Sequence, residues 1–267
     1  MFSGKEDVMM KLLPLMAMLF ILDPVHPLDG LELTVDGISR EALIHFPAGV
    51  HDKEVSVVFC FHGHGGNAAL LSERMKIEEL WPDAIVVYPQ GLKTKSALVD
   101  PEGKYTGWQS TIGKDQDRDV RFFDALLSKL ASEYRIADGK VFATGFSNGG
   151  SFSYVLLAAR SDRIDGIAPI AATLVNKSLW KKILNKPVFH VGSRNDPVVL
   201  FKWQDRIIQY LVDRNACELV ETSEDGFLRR YVSESGIPIQ IYVDDGKHNI
   251  PDGSPALVVD FFKGIGR

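Results

Sequence analysis

The stretch Val141-Phe-Ala-Thr-Gly-Phe-Ser-Asn-Gly-Gly150 constrains this chain more than any other part of it. An apolar run of strand character, Val141 to Thr144, passes through Gly145-Phe146-Ser147-Asn148-Gly149 into a segment of helical character from Ser151 to Ala159. Glycines two residues before and two after a serine let a strand and a helix approach closely, and the sharp turn between them exposes the serine hydroxyl. The helix start beyond it offers backbone N–H groups and a positive dipole end to a developing oxyanion. A glycine-rich turn of any α/β protein can match three fixed positions, so Ser147 is a candidate nucleophile whose partners the rest of the chain must supply.

With 267 residues, 45% of them hydrophobic, the chain can bury a full core as one α/β domain. No repeat, low-complexity tract or Pro/Ser-rich linker divides it. The net charge of −5 and the lack of a Lys/Arg cluster in sequence argue against a nucleic-acid partner and point to a small, weakly charged or neutral substrate. The first thirty residues are different in kind. Leu12 to Leu22 is almost continuously apolar, follows Lys11, and is too short to span a bilayer. It reads as the core of a secretory signal, more so if translation begins at Met9 or Met10 and so omits Glu6 and Asp7. The segment Asp23-Pro-Val-His-Pro-Leu-Asp29 offers no small-x-small cleavage site, and a disordered or surface-packed extension is the alternative. The expectation is therefore a signal-like extension over 1–30, which includes His26, and a catalytic domain over 31–267. Secretion or a periplasmic location and no stable membrane span go with it. Cys60, inside Val57-Val-Phe-Cys-Phe61, and Cys217, after a helix, are expected to be free and buried.

In chain order, Glu32 to Phe46 reads as two edge strands around an Asp36-Gly37 turn, with His45 structural among apolar neighbours. Val55 to Phe61 reads as a strand buried on both faces and runs into His62-Gly-His-Gly-Gly-Asn67. A glycine-rich turn at the C-terminal end of a central strand is where open α/β sheets place their sites. Its N–H groups could complete an oxyanion hole; a glycine-closed turn with His62 buried, or metal ligation by His62 and His64, are the other readings. No Gly-Lys-Ser/Thr follows, which argues against a phosphate loop. Ala84 to Tyr88 is a further strand, and Leu92 to Lys114 a surface excursion in which Trp108 either walls a pocket or simply packs. Asp117-Arg-Asp119 is expected to cap a helix whose apolar stripe is Val120, Phe123, Leu126, Leu127 and Leu130. Beyond Ser147 come strands at Asp165–Ala171 and Lys186–Val191, the latter ending in Gly192-Ser-Arg-Asn-Asp196-Pro-Val. Asp196 stands where an acid orienting a histidine would sit, or is a plain turn former before Pro197; His190, within the strand, is expected in the core. A helix from Lys202 to Asn215, a strand pair at Phe227–Val232 and Ile237–Val243, and a closing helix at Ala256–Phe262 complete the chain. His248 lies on the polar loop between that last strand and helix, so the order is Ser147, Asp196, His248, the order of a Ser-Asp-His triad on an α/β-hydrolase sheet.

The blocks His62-Gly-His-Gly-Gly-Asn67, Asp119-Val-Arg-Phe122, Gly145-Phe-Ser-Asn-Gly-Gly150, Asn195-Asp-Pro-Val198 and Gly246-Lys-His248 together resemble the polyhydroxybutyrate depolymerase and feruloyl esterase group of α/β-hydrolases, which includes acetylxylan-esterase-like enzymes. The resemblance runs from about Leu31 to the C-terminus. It implies an α/β-hydrolase fold, a mostly parallel sheet with helices on both faces. It also implies Ser147 as nucleophile, His248 as base, Asp196 as its orienter, and an oxyanion hole from the backbone N–H groups of Asn148 and His64. Members of the group are usually secreted and need no cofactor or metal.

Two departures stand out. Ile250 fills a place where the group often has tryptophan and is the candidate pocket residue there, and a cysteine that many members pair near Glu234 is missing, leaving Cys217 alone. The expected activity is hydrolysis of a small or polysaccharide-linked ester: feruloyl, acetyl or short hydroxyacyl. The chain length leaves no room for the surface-binding domain that depolymerases of solid polyester add. A serine peptidase of the same fold and a non-catalytic binding module are the rival readings.

Overall fold

The unbroken apolar runs become the inner strands of one ten-stranded sheet. The structure, a computed structural model, describes residues 28–97 and 99–266. The Leu12–Leu22 run, Met9, Met10 and His26 lie outside the described residues. The strands of the sheet are β1 (Asp29–Val35), β2 (Ile38–His45), β3 (Val55–Phe61), β4 (Ile85–Pro89), β7 (Ile136–Phe146), β8 (Gly166–Ile170), β9 (Val188–Ser193), β10 (Cys217–Thr222), β11 (Leu228–Ser233) and β12 (Pro238–Asp244). A two-stranded hairpin of β5 (Leu92–Lys93) and β6 (Thr106–Gly107) sits in the excursion after β4. The sheet order is β1-β2-β4-β3-β7-β8-β9-β12-β11-β10. The run from β4 to β12 is parallel, and antiparallel pairs close both edges.

Helices α1 (Ala68–Met75), α2 (Ile77–Leu80) and α6 (Ser254–Gly264) cover one face; α3 (Arg118–Glu133), α4 (Asn148–Ala159) and α5 (Phe201–Arg214) cover the other. Strand residues alternate between the two layers because successive side chains point to opposite faces. Val57, Phe59 and Phe61 pack toward α3 and α4, while Val58 and Cys60 pack toward α1 and α6. The fold is that of an α/β-hydrolase.

Several elements differ from the sequence reading. Asp29 and Gly30, assigned with the N-terminal extension, already belong to β1. Helix α1 begins directly after the His62–Asn67 turn, with the Asn67 side chain accepting a hydrogen bond from the Leu70 N–H at 2.8 Å. Strand β10 was not anticipated, because nearly all of its side chains are exposed and no alternation marks it. Cys60 is buried as expected; Cys217 is also free, but only partly buried on that edge.

The aspartates of the Asp117–Asp119 segment are not helix caps. Asp117 has a left-handed backbone and makes no cap bond to α3; its Oδ1 instead accepts from Gln109 Nε2 and Gly113 N–H, both at 2.7 Å. Asp119 is buried and forms an ion pair with the equally buried Arg40 at 3.0 Å, while also accepting from Gln109 N–H. The group that receives the first N–H donors of α3 is the Gln109 side chain, whose Oε1 accepts from Asp119 and Val120.

Candidate active site

Three loops at the C-terminal ends of the parallel strands β7, β9 and β12, which stand within four consecutive strands of the sheet, carry Ser147, Asp196 and His248. Ser147 occupies the turn between β7 and α4 with φ 55° and ψ −115°, a strained conformation for a residue with a Cβ. The strain is held by packing around the glycines. A methyl on Gly145 would stand 2.6 Å from the Phe61 carbonyl oxygen, and one on Gly149 would stand 2.0 Å from the same atom. Gly149→Ala is therefore expected to destabilise the fold by about 3 kcal/mol or more through overpacking of backbone against backbone. Urea unfolding followed by circular dichroism measures it; an unchanged midpoint would show that β3 and α4 can separate here.

The Ser147 hydroxyl lies 2.9 Å from His248 Nε2 and can donate to it. On the other side of the ring, His248 Nδ1–H donates to Asp196 Oδ2 at 2.8 Å. The second carboxylate oxygen, Oδ1, accepts from the backbone N–H groups of Val198 and Val199 at 2.8 and 2.9 Å. Asp196 thus keeps its place at a turn before Pro197 and also faces the histidine, so its two readings from the sequence coexist. Phe146 flanks the imidazole at 4.9 Å between ring centroids.

Behind Asp196 lies a buried polar chain that the sequence reading did not find. Gln204 Nε2 donates to Asp196 Oδ2 at 3.3 Å and to the Val199 carbonyl at 2.6 Å. Gln204 Oε1 accepts from His190 Nε2–H at 3.0 Å, and His190 Nδ1 accepts from the Tyr154 hydroxyl at 2.9 Å. His190 is in the core, as expected, but it is fully hydrogen-bonded there and connects to the site. Burial lowers its pKa to about 4, so it is neutral at neutral pH, which agrees with one ring nitrogen donating and the other accepting. Gln204→Leu is expected to lower kcat about tenfold with little change in KM, because Asp196 loses a donor and can shift relative to His248. Steady-state kinetics across pH checks this; a rise in KM alone would remove Gln204 from the positioning role.

His62 and His64 diverge. His62 is buried, with Nδ1–H donating to the Gly63 carbonyl at 2.8 Å and Nε2 accepting from Gly91 N–H at 2.9 Å. Both nitrogens are engaged, so it serves the turn as its buried pin. Burial lowers its pKa to about 4 as well. His62 and His190 gain their proton near pH 6.5 when unfolded and only near pH 4 when folded. Stability is accordingly complete above about pH 6.5 and falls as pH drops toward 4, by roughly 3 kcal/mol per histidine at most. Tm measured from pH 7 to 4 should decline through this window, and less steeply in His190→Gln; a flat profile would contradict the buried neutral imidazoles.

His64 Nε2–H donates to Asp100 Oδ2 at 3.1 Å. Desolvation opposes ionisation of Asp100, but the N–H groups of Tyr105, Lys104 and Gly103 and the His64 ring together outweigh it and hold its carboxyl at about 2. The Asn148 side chain clamps the Trp108 backbone, Oδ1 accepting from N–H at 2.7 Å and Nδ2 donating to the carbonyl at 3.2 Å. His64 and Asn148 close on one point: a methyl on Gly107 would stand 2.6 Å from His64 Nδ1 and 2.8 Å from Asn148 Oδ1.

Both residues line a half-open cavity of about 590 Å³ walled by Trp108, Trp180, Trp203 and Leu174. Trp108 reaches the cavity although it is almost wholly buried, its ring stacked on Phe152 and its Nε1–H donating to the His62 carbonyl at 2.8 Å. Ile250 is not part of this wall. It is buried in the α1/α6 layer with Phe189, Val191 and Val258, so its position two residues after His248 turns it into the core. Trp180 and Trp203 went unnoticed in the sequence; they lie on a short 3-10 helix and on the first turn of α5, where neither spacing nor neighbours single them out.

No family model matches the chain. It is 26% identical over 224 residues to feruloyl esterase C of Emericella nidulans, covering 81% of this chain and 77% of that protein. Feruloyl esterase D of Neurospora crassa is 37% identical over 142 residues, 51% of this chain and 47% of the relative. Among solved structures, acetyl xylan esterase from Aspergillus awamori superposes with a TM-score of 0.63 at 11% identity, over 88% of this chain and 99% of that one. Fold and relatives define an α/β-hydrolase of the kind that cleaves carboxylic esters. Within that class the chain is similar in sequence to feruloyl esterases and in fold to an acetyl xylan esterase. Among the described residues, no helix is long and apolar enough to cross a membrane.

Proposed function

We propose that the chain is a serine esterase working through an acyl-enzyme, with Ser147 as nucleophile, His248 as general base and Asp196 as its orienter. The observation that carries this is the unbroken hydrogen-bond line from Ser147 Oγ through His248 to Asp196 Oδ2. Serine is a weak nucleophile at neutral pH, so His248 takes its proton as Oγ attacks the ester carbonyl. Asp196 keeps the proton on Nδ1, leaves Nε2 free to accept, and stabilises the imidazolium that forms. The backbone N–H groups of Asn148 and His64 receive the oxyanion of the tetrahedral intermediate. His248 then protonates the leaving alcohol, and a water activated by the same ring releases the acid. The scheme calls on no cofactor or metal.

Of the feruloyl, acetyl and short hydroxyacyl esters expected from the sequence, the tryptophan walls of the cavity favour a planar aromatic acyl group. The apolar Leu12–Leu22 run supports export of the enzyme. A panel of methyl ferulate, p-nitrophenyl acetate, acetylated xylan and a hydroxybutyrate oligomer tests the reading. Methyl ferulate is expected to give the highest kcat/KM. Turnover of the acetate with an inert ferulate would remove the aromatic preference, and inertness on all four would count against the esterase.

A further inference from the structure

The cavity lined by His64 and by Asn148, the residue after Ser147, has a charge the whole chain does not. Although the chain carries −5, the described residues lining the cavity include Lys95, Lys114, Lys177 and Arg206 and no Asp or Glu. None of these four forms an ion pair with a carboxylate among the described residues, whereas Arg40, Arg118, Arg160, Arg163 and Arg194 all do. Lys114 Nζ donates to the Lys95 carbonyl and Ser110 Oγ, which ties the ammonium to the wall and leaves a third N–H for a ligand. Lys177 Nζ sits 5.7 Å from the Trp180 ring centroid, so a cation and an aromatic face are offered together. Asp100 and Asp117 keep their charge but are turned to other donors, Asp100 to three backbone N–H groups and His64, Asp117 to Gln109 and Gly113, and neither lines the cavity. Like charges gathered around a partly enclosed, low-dielectric cavity repel one another and focus a positive field into it.

We infer that the enzyme takes esters bearing a second, anionic group, a carboxylate, on a planar apolar body. The inference rests on the serine-esterase reading for its chemistry and departs from the weakly charged or neutral substrate that the net charge suggested. The tryptophans hold the flat part of the substrate, and Lys114, Lys177 and Arg206 receive the carboxylate. The carboxylate can belong to the acid side of the ester, as in a diacid monoester, or to the alcohol side, as in an acidic sugar.

Binding to the full-length Ser147→Ala protein, followed by tryptophan fluorescence, tests this without turnover. The probes are methyl cinnamate, its para-carboxylate, carboxymethyl cinnamate and the para-trimethylammonium analogue. At low salt at least one carboxylate ester is expected to bind about tenfold more tightly than methyl cinnamate, and the cationic ester more weakly. The arm that gains names the side of the ester bond that bears the charge. Roughly 0.5 M NaCl should erase most of the difference. In Lys177→Gln and Arg206→Gln, two exposed positions, the ratio of neutral to anionic Kd should fall toward one. Equal or weaker binding of both carboxylates would overturn the inference even if the wild type hydrolyses methyl cinnamate. Preferential binding without hydrolysis by the wild type would retain the anion site and overturn the esterase reading instead.

Discussion

Ser147→Ala is expected to lower kcat toward methyl ferulate about a million-fold while leaving the fold intact. Removing the nucleophile of a serine hydrolase leaves only what the oxyanion donors and substrate positioning provide. The elbow geometry makes the expectation stronger: the strained φ of 55° at position 147 holds Oγ against His248 Nε2, and no other hydroxyl is described in contact with that nitrogen. Alanine tolerates the same backbone no worse than serine, so circular dichroism and Tm should hardly move. Progress curves with methyl ferulate, run at enzyme concentrations high enough to detect slow turnover, measure the effect. A loss of tenfold or less would mean that another group attacks the ester.

Asp196→Asn is expected to lower kcat about ten-thousand-fold with nearly unchanged geometry. Asp196 Oδ2 accepts from both His248 Nδ1–H and Gln204 Nε2, and Oδ1 accepts from two backbone N–H groups. An asparagine can satisfy the backbone donors with its carbonyl oxygen, which turns its NH2 toward His248. The imidazole must then accept at Nδ1 and carry its proton on Nε2, facing Ser147 with a donor where an acceptor is needed. Raising the pH should recover little of the loss, because the tautomer and not the charge is wrong. A loss that a higher pH restores would instead point to a purely electrostatic role.

How far the sequence could be read depended on whether a residue's role was local. Val57 to Phe61 was legible as an inner strand because both its faces are buried, and apolar continuity follows directly from that. Ser147, Asp196 and His248 were legible because each sits on a polar loop just past a strand, and the sheet order β7, β8, β9, β12 then sets the loops side by side. Gln204 was missed, and Asp119 was read as a helix cap, although a signal for burial was present in both. Gln204 lies three and four residues before Ile207 and Ile208, and Asp119 three and four before Phe122 and Phe123, so each shares the buried face of its helix. A polar residue on such a face needs partners, and here they are Asp196 with His190, and Arg40. Arg40 itself could have been placed inward by its alternation with Ala42 and Ile44. The cavity cations had no such signal. Lys95, Lys114, Lys177 and Arg206 come from three separate parts of the chain and meet only after the sheet is assembled. Net charge averages them away.

The central claim is that Ser147, activated by His248, attacks the ester carbonyl. Its most direct test is to treat the wild-type protein and His248→Ala with a fluorophosphonate and map the adduct by peptide mass spectrometry. The wild type should carry one adduct, on the peptide containing Ser147, and the His248→Ala protein should label far more slowly. An unlabelled Ser147 in a protein that still hydrolyses methyl ferulate, or equal labelling of both proteins, would contradict the account.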